Sequence, residues 1–253
     1  MPEAHSLQHR INSGYIQIIT EDGQKIPAFW AHPQHGGPFP GLVLLHDDRG
    51  LSPHTRALAH RFAEVGYYVI APDLFEGQTP QNANQAQALE EYYMPMGPPK
   101  VNAAIKALET HHRSNNKIAV LGWDFGGTLV YDVITRYPDI MAGVSFYGDP
   151  APFFGQFAGV QCAVMAIFGD ADEILRQHER QLRQEFIRTG QPHEVIVYPD
   201  AQHGFYNDNL PEYDAESAED AWVQTLAFLE THQGKPPPPP DAASGTFRTG
   251  RVY

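Results

Sequence analysis

The stretch Val120-Leu-Gly-Trp-Asp-Phe-Gly-Gly127 decides the fold of this chain. A hydrophobic strand runs into the pattern Gly-x-Asp-x-Gly-Gly, and a segment with helical character follows it. A sharp strand-to-helix turn leaves no room for larger side chains beside its central residue, which explains the small residues Gly122 and Gly126. Turns of this shape usually present serine or cysteine as a nucleophile, but the central residue here is Asp124.

Short β-rich runs alternate with helical patterns on both sides of this turn. The runs 15–20 and 25–31 flank an Asp-Gly pair, which is typical of a β-hairpin. Further strands are predicted at 42–46, 67–71, 117–121, 142–147, 163–168 and 194–198, and helices at 53–66, 100–112, 125–137, 174–189 and 215–231. A hairpin followed by repeated β-α-β units predicts an α/β fold with a single domain and a mostly parallel, doubly wound sheet.

Two terminal segments lie outside the repeated pattern, and an insertion interrupts it. We predict a domain over 14–232, an N-terminal extension over 1–13 and a proline-rich C-terminal tail over 233–253, in which five consecutive prolines favour polyproline II. The apolar side chains of the tail are candidates for contact with a partner or with a second subunit in a homo-oligomer, and a disordered tail is the alternative; they are Phe247, Val252 and Tyr253.

Residues 76–99 form a polar insertion that contains aromatic residues and methionines. One interpretation is a surface covering, and the other is a cap over the site that contributes Tyr92, Tyr93 or Met94 to a pocket.

The charge balance narrows the partners. With 30 acidic against 17 basic residues the formal net charge is -13, which argues against nucleic acid and anionic membranes. Cys162 is the only cysteine, and the first residues lack the apolar core of a signal peptide, so we expect a cytoplasmic protein acting on a small molecule. Nucleotide-binding glycine motifs are missing from the sequence, and no cofactor is predicted.

Polar residues follow three predicted strands in a suggestive order. Asp124 follows the strand 117–121, Asp172 follows 163–168 and His203 follows 194–198. Strand ends meet at one edge of a parallel sheet, which is where such sheets place their working residues. Nucleophile, acid and histidine is the chain order of the α/β-hydrolase triad.

Six segments of the chain together resemble the dienelactone hydrolase family of α/β-hydrolases. The resemblance covers nearly the whole chain except its ends. The matching segments are LVLLHDDRGL (42–51), ALAHRFAEVGYYVIAPDLF (57–75), LGWDFGG (121–127), FYG (146–148), FGDADE (168–173) and YPDAQHGF (198–205).

The resemblance implies roles for single positions. Asp124 stands where the family usually has a cysteine nucleophile, Asp172 matches the acid that orients the histidine, and His203 matches the base. Asp47 stands where the family usually has a glutamate that interacts with the resting nucleophile. The remaining implied positions are the backbone amides of Asp48 and Phe125 as the oxyanion hole.

The substrate pocket is expected to be small to medium and fairly apolar, with Trp123, Phe205 and Tyr206 nearby. Asn207 occupies the position of an arginine that binds the carboxylate of the substrate in some members of the family, so a carboxylated dienelactone is not expected here.

Four interpretations of Asp124 remain open. Its carboxylate is poorly suited to acyl transfer, because attack on an acyl carbon gives an anhydride that returns to the starting materials, but it suits displacement at a saturated carbon. The Gly-x-Asp-x-Gly-Gly pattern is also similar to the corresponding turn of haloalkane dehalogenases and epoxide hydrolases. The other interpretations are direct activation of water and loss of catalysis.

We therefore predict a hydrolase acting on a small ester, a lactone, or an epoxide or other C–X substrate. The alternative is a catalytically silent homologue that serves as a binding or assembly module. A metal site would draw on carboxylates and an imidazole, namely Asp47, Asp48, Asp124 and His203, but no ligand spacing requires one and none is predicted.

Overall fold

The strands and helices alternate along the chain from its first hairpin to its last helix. The computed structural model describes residues 8–240, so the predicted contacts of the tail residues Phe247, Val252 and Tyr253 lie outside the described part. Within this part the strands are β1 (Ile11–Ile19), β2 (Lys25–Pro33), β3 (Phe39–Leu45), β4 (Tyr68–Pro72), β5 (Ser114–Trp123), β6 (Ala142–Phe146), β7 (Ala163–Gly169) and β8 (His193–Tyr198). The α-helices are α1 (Pro53–Glu64), α2 (Ala83–Tyr93), α3 (Gly97–Thr110), α4 (Phe125–Arg136), α5 (Leu175–Thr189) and α6 (Ala215–Gln233).

All eight of these strands form one sheet in the order β1-β2-β4-β3-β5-β6-β7-β8. β2 is antiparallel to both β1 and β4, and every other neighbouring pair is parallel. The predicted single-domain α/β-hydrolase fold, with a mostly parallel sheet and an N-terminal hairpin, is confirmed.

The core lies between the central strands and the helices that cover them. Every residue of β3, β4, β6 and β7 is buried, as expected of parallel strands with helices on both faces. The apolar runs that predicted these strands are therefore core residues, and the polar residues that follow them lie at the edge of the sheet.

Helix starts follow from local capping. The Ser52 side chain accepts a hydrogen bond from the Thr55 amide at the start of α1, where Pro53 occupies the first turn. α3 begins at Gly97, before the predicted 100, because the two prolines after Gly97 fit the first turn of a helix, where an amide hydrogen is not needed.

The sheet and its surroundings extend beyond the predicted domain boundaries. β1 starts at Ile11 and so takes in residues 11–13, where Asn12 and Ser13 break the apolar pattern although the backbone pairs with β2. The residues after α6 are also held: the Pro237 carbonyl accepts a hydrogen bond from the ring of His9 (2.9 Å). Pro236 is buried against Gly66, where a Cβ atom would lie 2.7 Å from the proline Cβ.

No helix in residues 8–240 is long and apolar enough to cross a membrane.

Candidate active site

The turn at Asp124 joins β5 to α4 in a backbone conformation that residues with a Cβ atom rarely adopt. Asp124 has φ 52° and ψ −113°, a strained region of the Ramachandran plot. The Asp124 amide donates to the Phe146 carbonyl (3.0 Å), and the Gly126 amide donates to the His46 carbonyl (3.1 Å). A Cβ atom at Gly122 would lie 2.3 Å from the Gly126 oxygen, so the close approach requires glycine there. The turn therefore fixes the Asp124 carboxylate at the carboxyl edge of the sheet.

His203 contacts carboxylates on both sides of its ring. Its Nε2 lies 3.1 Å from Asp124 Oδ1, and its Nδ1 lies 2.7 Å from Asp172 Oδ2. Asp172 is buried after β7 and also accepts a hydrogen bond from the Leu175 amide (3.1 Å). The structure thus brings together the three side chains that follow β5, β7 and β8.

The protonation of this array follows from its hydrogen bonds. Partial burial works against a charged ring, but the hydrogen bonds to Asp124 and Asp172 outweigh it and raise the pKa of His203 to about 10. Burial likewise opposes charge on Asp172, whose pKa is nevertheless lowered by the hydrogen bond from His203. His203 is therefore an imidazolium near neutral pH, and in this state it has no lone pair with which to accept a proton.

Two backbone amides beside Asp124 are available to a ligand. Among the described residues, neither the Asp48 amide nor the Phe125 amide donates a hydrogen bond to another group. Phe125 is also the first residue of α4, so the positive end of the helix dipole lies at this point. These are the amides that the sequence predicts as an oxyanion hole.

Asp47 and Asn207 are turned towards each other. Asn207 Nδ2 donates to Asp47 Oδ2 (3.1 Å), and the Arg49 amide donates to Asp47 Oδ1 (3.1 Å). Both side chains are buried, and burial raises the pKa of Asp47 to about 6. Their hydrogen bonds link the loop after β3 to the loop after β8, which supports the positions of Asp48 and His203.

The three aromatic residues predicted near the pocket lie in the core beside the site. Trp123, Phe205 and Tyr206 are buried, and Tyr206 also borders a separate cavity of about 370 Å³. Tyr147, which the sequence did not single out, packs its ring 4.9 Å from the ring of His203 and 5.7 Å from that of Phe205. Tyr147 has φ 39° and directly follows β6, so the strand-end position was the signal that could have identified it.

Glu90, on α2 of the 76–99 insertion, is a site residue that sequence reasoning missed. One carboxylate oxygen each from Asp48, Glu90 and Asp124 lie within 4.8 Å of one another, and the three side chains are half-buried. Burial, followed by the charges of Asp124 and Asp48, raises the pKa of Glu90 to about 7. A helical-face argument could have found it, because Ala86 and Tyr93, at positions −4 and +3 from Glu90, are the buried residues of α2.

The residues expected from the insertion lie elsewhere. Tyr92 is 64% exposed, and Met94 packs on the hydrophobic core. The hydroxyl group of Tyr93 accepts a hydrogen bond from Gln78 (2.7 Å). Tyr92 and Tyr93 line a groove together with residues 78–80.

A buried lysine holds the insertion in place. Lys100 Nζ pairs with Glu76 Oε1 (2.7 Å), donates to the Leu74 carbonyl (2.9 Å) and lies 4.3 Å from the centre of the Tyr93 ring. The lysine therefore binds the start of the insertion and the end of α2 at once. This arrangement fixes the position of Glu90 over the turn.

A cleft of about 650 Å³ opens beside the carboxylates, between the loop after β3 and the start of α2. It is lined by charged, polar and apolar residues, namely Asp48, Arg49, Leu51, Ser52, Pro53, Arg56, Thr79, Pro80, Gln81, Asn82, Ala83 and Ala86. Of the three clustered carboxylates Asp48 lines the cleft, so the cleft borders the cluster at this residue.

The cluster of three carboxylates, from Asp48, Glu90 and Asp124, differs from the set of metal ligands that the sequence suggested. Asp47 is turned towards Asn207 and His203 lies between two carboxylates, while Glu90 takes a place beside Asp48 and Asp124. Carboxylate oxygens this close repel one another unless a proton or a cation lies between them.

Comparisons with known proteins agree with this architecture. The model of the dienelactone hydrolase family matches residues 26–233. A relative in Aquifex pyrophilus, "Protein usf", is 30% identical over 87% of this chain and 99% of its own length. A "Putative carboxymethylenebutenolidase" of Yersinia pestis is 29% identical over 91% of this chain and 92% of its own length.

A solved structure from Klebsiella pneumoniae, described as a "Putative Dienelactone Hydrolase", superposes with a TM-score of 0.78. It is 24% identical and the match covers 87% of this chain and 99% of the other, so it bears on the fold alone.

Proposed function

The chain belongs to the dienelactone hydrolase family, and we propose that it hydrolyses a small molecule by displacement at a saturated carbon, with Asp124 as the nucleophile. The observation that carries this proposal is the array Asp124–His203–Asp172, in which His203 hydrogen-bonds both carboxylates. A carboxylate nucleophile carries no proton that must be removed before attack. In the resting state His203 therefore need not act as a base towards Asp124.

The protonation of His203 argues against the other routes. Direct activation of water by His203 needs a neutral ring, whereas the two carboxylates keep the ring charged. Attack of Asp124 on an ester carbonyl would form an anhydride, which reverses easily. Displacement at a saturated carbon instead leaves a stable alkyl ester of Asp124.

The first step makes His203 ready for the second. When an Asp124 oxygen bonds to the substrate carbon, the bond from that carbon to the leaving atom breaks and the aspartate becomes an uncharged ester. The pKa of His203 then falls, because one of the charges that raises it has gone. His203 is 47% exposed and loses its proton to solvent.

The second step hydrolyses the ester. Neutral His203, oriented by Asp172, takes a proton from water as the water oxygen adds to the ester carbonyl of Asp124. The amides of Asp48 and Phe125 donate hydrogen bonds to the resulting oxyanion. Collapse of this intermediate releases the alcohol, which takes its proton from His203. The new carboxyl group of Asp124 then passes its proton back to the ring, which restores the resting pair.

The charge of the site favours an uncharged or cationic substrate. Asp48, Glu90 and Asp124 lie close together, with Asp48 on the wall of the cleft, and these carboxylates repel an anionic substrate. The loss of the family's arginine at Asn207 agrees with this preference.

A single turnover in ¹⁸O-labelled water tests the proposal. The displacement route incorporates the label in the peptide that contains Asp124 and leaves the first product unlabelled. Label in the product, and none in Asp124, would show that water attacks the substrate directly and would overturn the route. A silent homologue would hydrolyse no ester, lactone, epoxide or alkyl halide above background, while Asp124→Cys or Asp124→Ser would then create esterase activity.

A further inference from the structure

We propose that Glu90 of α2 is the acid that protonates the leaving oxygen of the substrate, so that the substrate class of this site is the epoxides. This inference rests on the proposed function, because it needs Asp124 as the nucleophile.

The position of Glu90 places an acid opposite the nucleophile. Its carboxyl group lies within 4.8 Å of both Asp124 and Asp48, and among the described residues it has no ion pair or hydrogen bond. An attack distance of about 3 Å and a hydrogen bond of about 2.7 Å bridge that gap when the acid meets the leaving oxygen from the side. Glu90 can therefore reach an atom that is bound to the carbon under attack.

The charges around Glu90 require a proton in this cluster. It faces Asp48 from the loop after β3, Asp124 from the turn before α4 and His203 from the loop after β8, with Glu91 beside it on α2. The protons of the His203 ring are already committed to Asp124 and Asp172. A proton on Glu90 removes the repulsion between its carboxylate and those of Asp48 and Asp124. Glu90 carries this proton below about pH 7, because its pKa is raised to about 7.

The same charges discriminate between leaving groups. A departing halide would carry the negative charge that Asp124 gives up, and it would form beside the Asp48 carboxylate, which is unfavourable in a half-buried site. An epoxide oxygen that takes a proton as its C–O bond breaks leaves as a neutral hydroxyl group. In this step a bond forms between the Asp124 oxygen and the carbon, the Glu90 proton moves to the oxygen, and the Glu90 carboxylate regains a proton from solvent.

The test compares Glu90→Gln with Glu91→Gln, a matched control that makes the same change on the exposed neighbouring position of α2. We expect Glu90→Gln to lower kcat/KM for a small neutral epoxide by about a hundredfold, the low end of a general acid's contribution, and Glu91→Gln to leave it unchanged. The kcat/KM of the unmodified protein should fall as pH rises through about 7, and Glu90→Gln should lack that fall.

A second comparison uses an alkyl bromide with the same carbon skeleton as the epoxide. We expect the unmodified protein to prefer the epoxide and Glu90→Gln to lose most of that preference. Equal epoxide rates and equal pH profiles for the two variants would overturn the role of Glu90, and a preference for the bromide would overturn the substrate class. Both results would leave the proposed function intact if ¹⁸O still enters Asp124, whereas absence of that label would refute the function itself.

Glu90→Asp guards against a folding defect in Glu90→Gln. The shorter acid keeps a transferable proton, so it should restore part of the epoxide activity and the fall in rate at high pH. If neither returns although the variant has the circular dichroism of the unmodified protein, Glu90 is not the acid.

Discussion

His203 Nε2 lies 3.1 Å from Asp124 Oδ1, and because the pKa of His203 is raised to about 10, the two groups form an ion pair in the resting site. A serine or cysteine at this turn would need a neutral histidine to remove its proton. In the proposed route the carboxylate needs no such help for attack, and the histidine acts only after the substrate carbon has bonded to Asp124.

The first prediction concerns the charge on His203. Asp124→Asn removes one of the two carboxylates that raise the pKa of His203, so this pKa should fall well below 10. Titration of the histidine ring by NMR measures the change. Asp208→Asn, which acts on the His54 pair instead, is the control and should leave the titration of His203 unaltered. An unchanged pKa in Asp124→Asn would show that the ion pair does not form in solution.

A second prediction separates the two chemical steps. His203→Gln keeps an amide near Asp124 but removes the base, so the alkyl ester should form and its hydrolysis should slow by roughly 10²–10⁴-fold. Intact-protein mass spectrometry after addition of substrate should then show the mass of the added alkyl group. His54→Gln, beside the separate cavity, should turn over normally, and a normal rate in His203→Gln as well would exclude His203 as the base.

A third prediction concerns stability and the buried carboxyl of Asp47. Its pKa in the folded chain is about 6, against about 4 in an unfolded chain. Between those values the folded state binds more protons than the unfolded state, so the free energy of unfolding should fall as pH rises from about 4 to about 6. Asp47→Asn has no charge to bury and should be more stable than the unmodified protein at pH 7 by about 2–3 kcal/mol.

Urea denaturation at pH 4 and pH 7 measures this difference in the free energy of unfolding. The advantage of Asp47→Asn should be absent at pH 4, where the buried carboxyl is protonated. An advantage of the same size at both pH values would mean that it comes from packing and not from ionisation.

A fourth prediction concerns the glycines that permit the turn. A Cβ atom at Gly126, in the first turn of α4, would lie 2.4 Å from the Leu45 carbonyl oxygen at the end of β3. Gly126→Ala should therefore lower the free energy of unfolding by about 3 kcal/mol or more. Gly159→Ala is the matched control, since no atom lies within 4 Å of its added Cβ. Similar denaturation curves for the two variants would show that the turn can relax.

The sequence predicted those features that short-range chemistry determines. Apolar runs such as 42–46 became buried strands, and the glycines around Asp124 predicted the turn. The residues Asp172 and His203 follow their strands as expected, because parallel strands end at one edge of the sheet. These features depend on neighbouring residues and on the rules of sheet topology.

The features that the sequence did not predict depend on contacts between distant segments. Glu90 lies on α2, whose end is held by the buried Lys100 together with the start of the insertion, and no local pattern reveals which lysine will be buried. The pairing of Asp47 with Asn207, far away in the sequence, was not predicted either. The start of β1 at Ile11 was missed for the opposite reason, since an edge strand pairs through its backbone and tolerates polar side chains.

The contact between His9 and Pro237 closes the described chain into a ring. The segment before β1 and the segment after α6 therefore lie side by side, away from the loops that carry the carboxylates. A circularly permuted chain in which the two ends are joined, and which opens instead at the exposed Gly155 between β6 and β7, would keep every strand pairing of the sheet. The order in which the strands are synthesised is therefore separable from the arrangement that they reach.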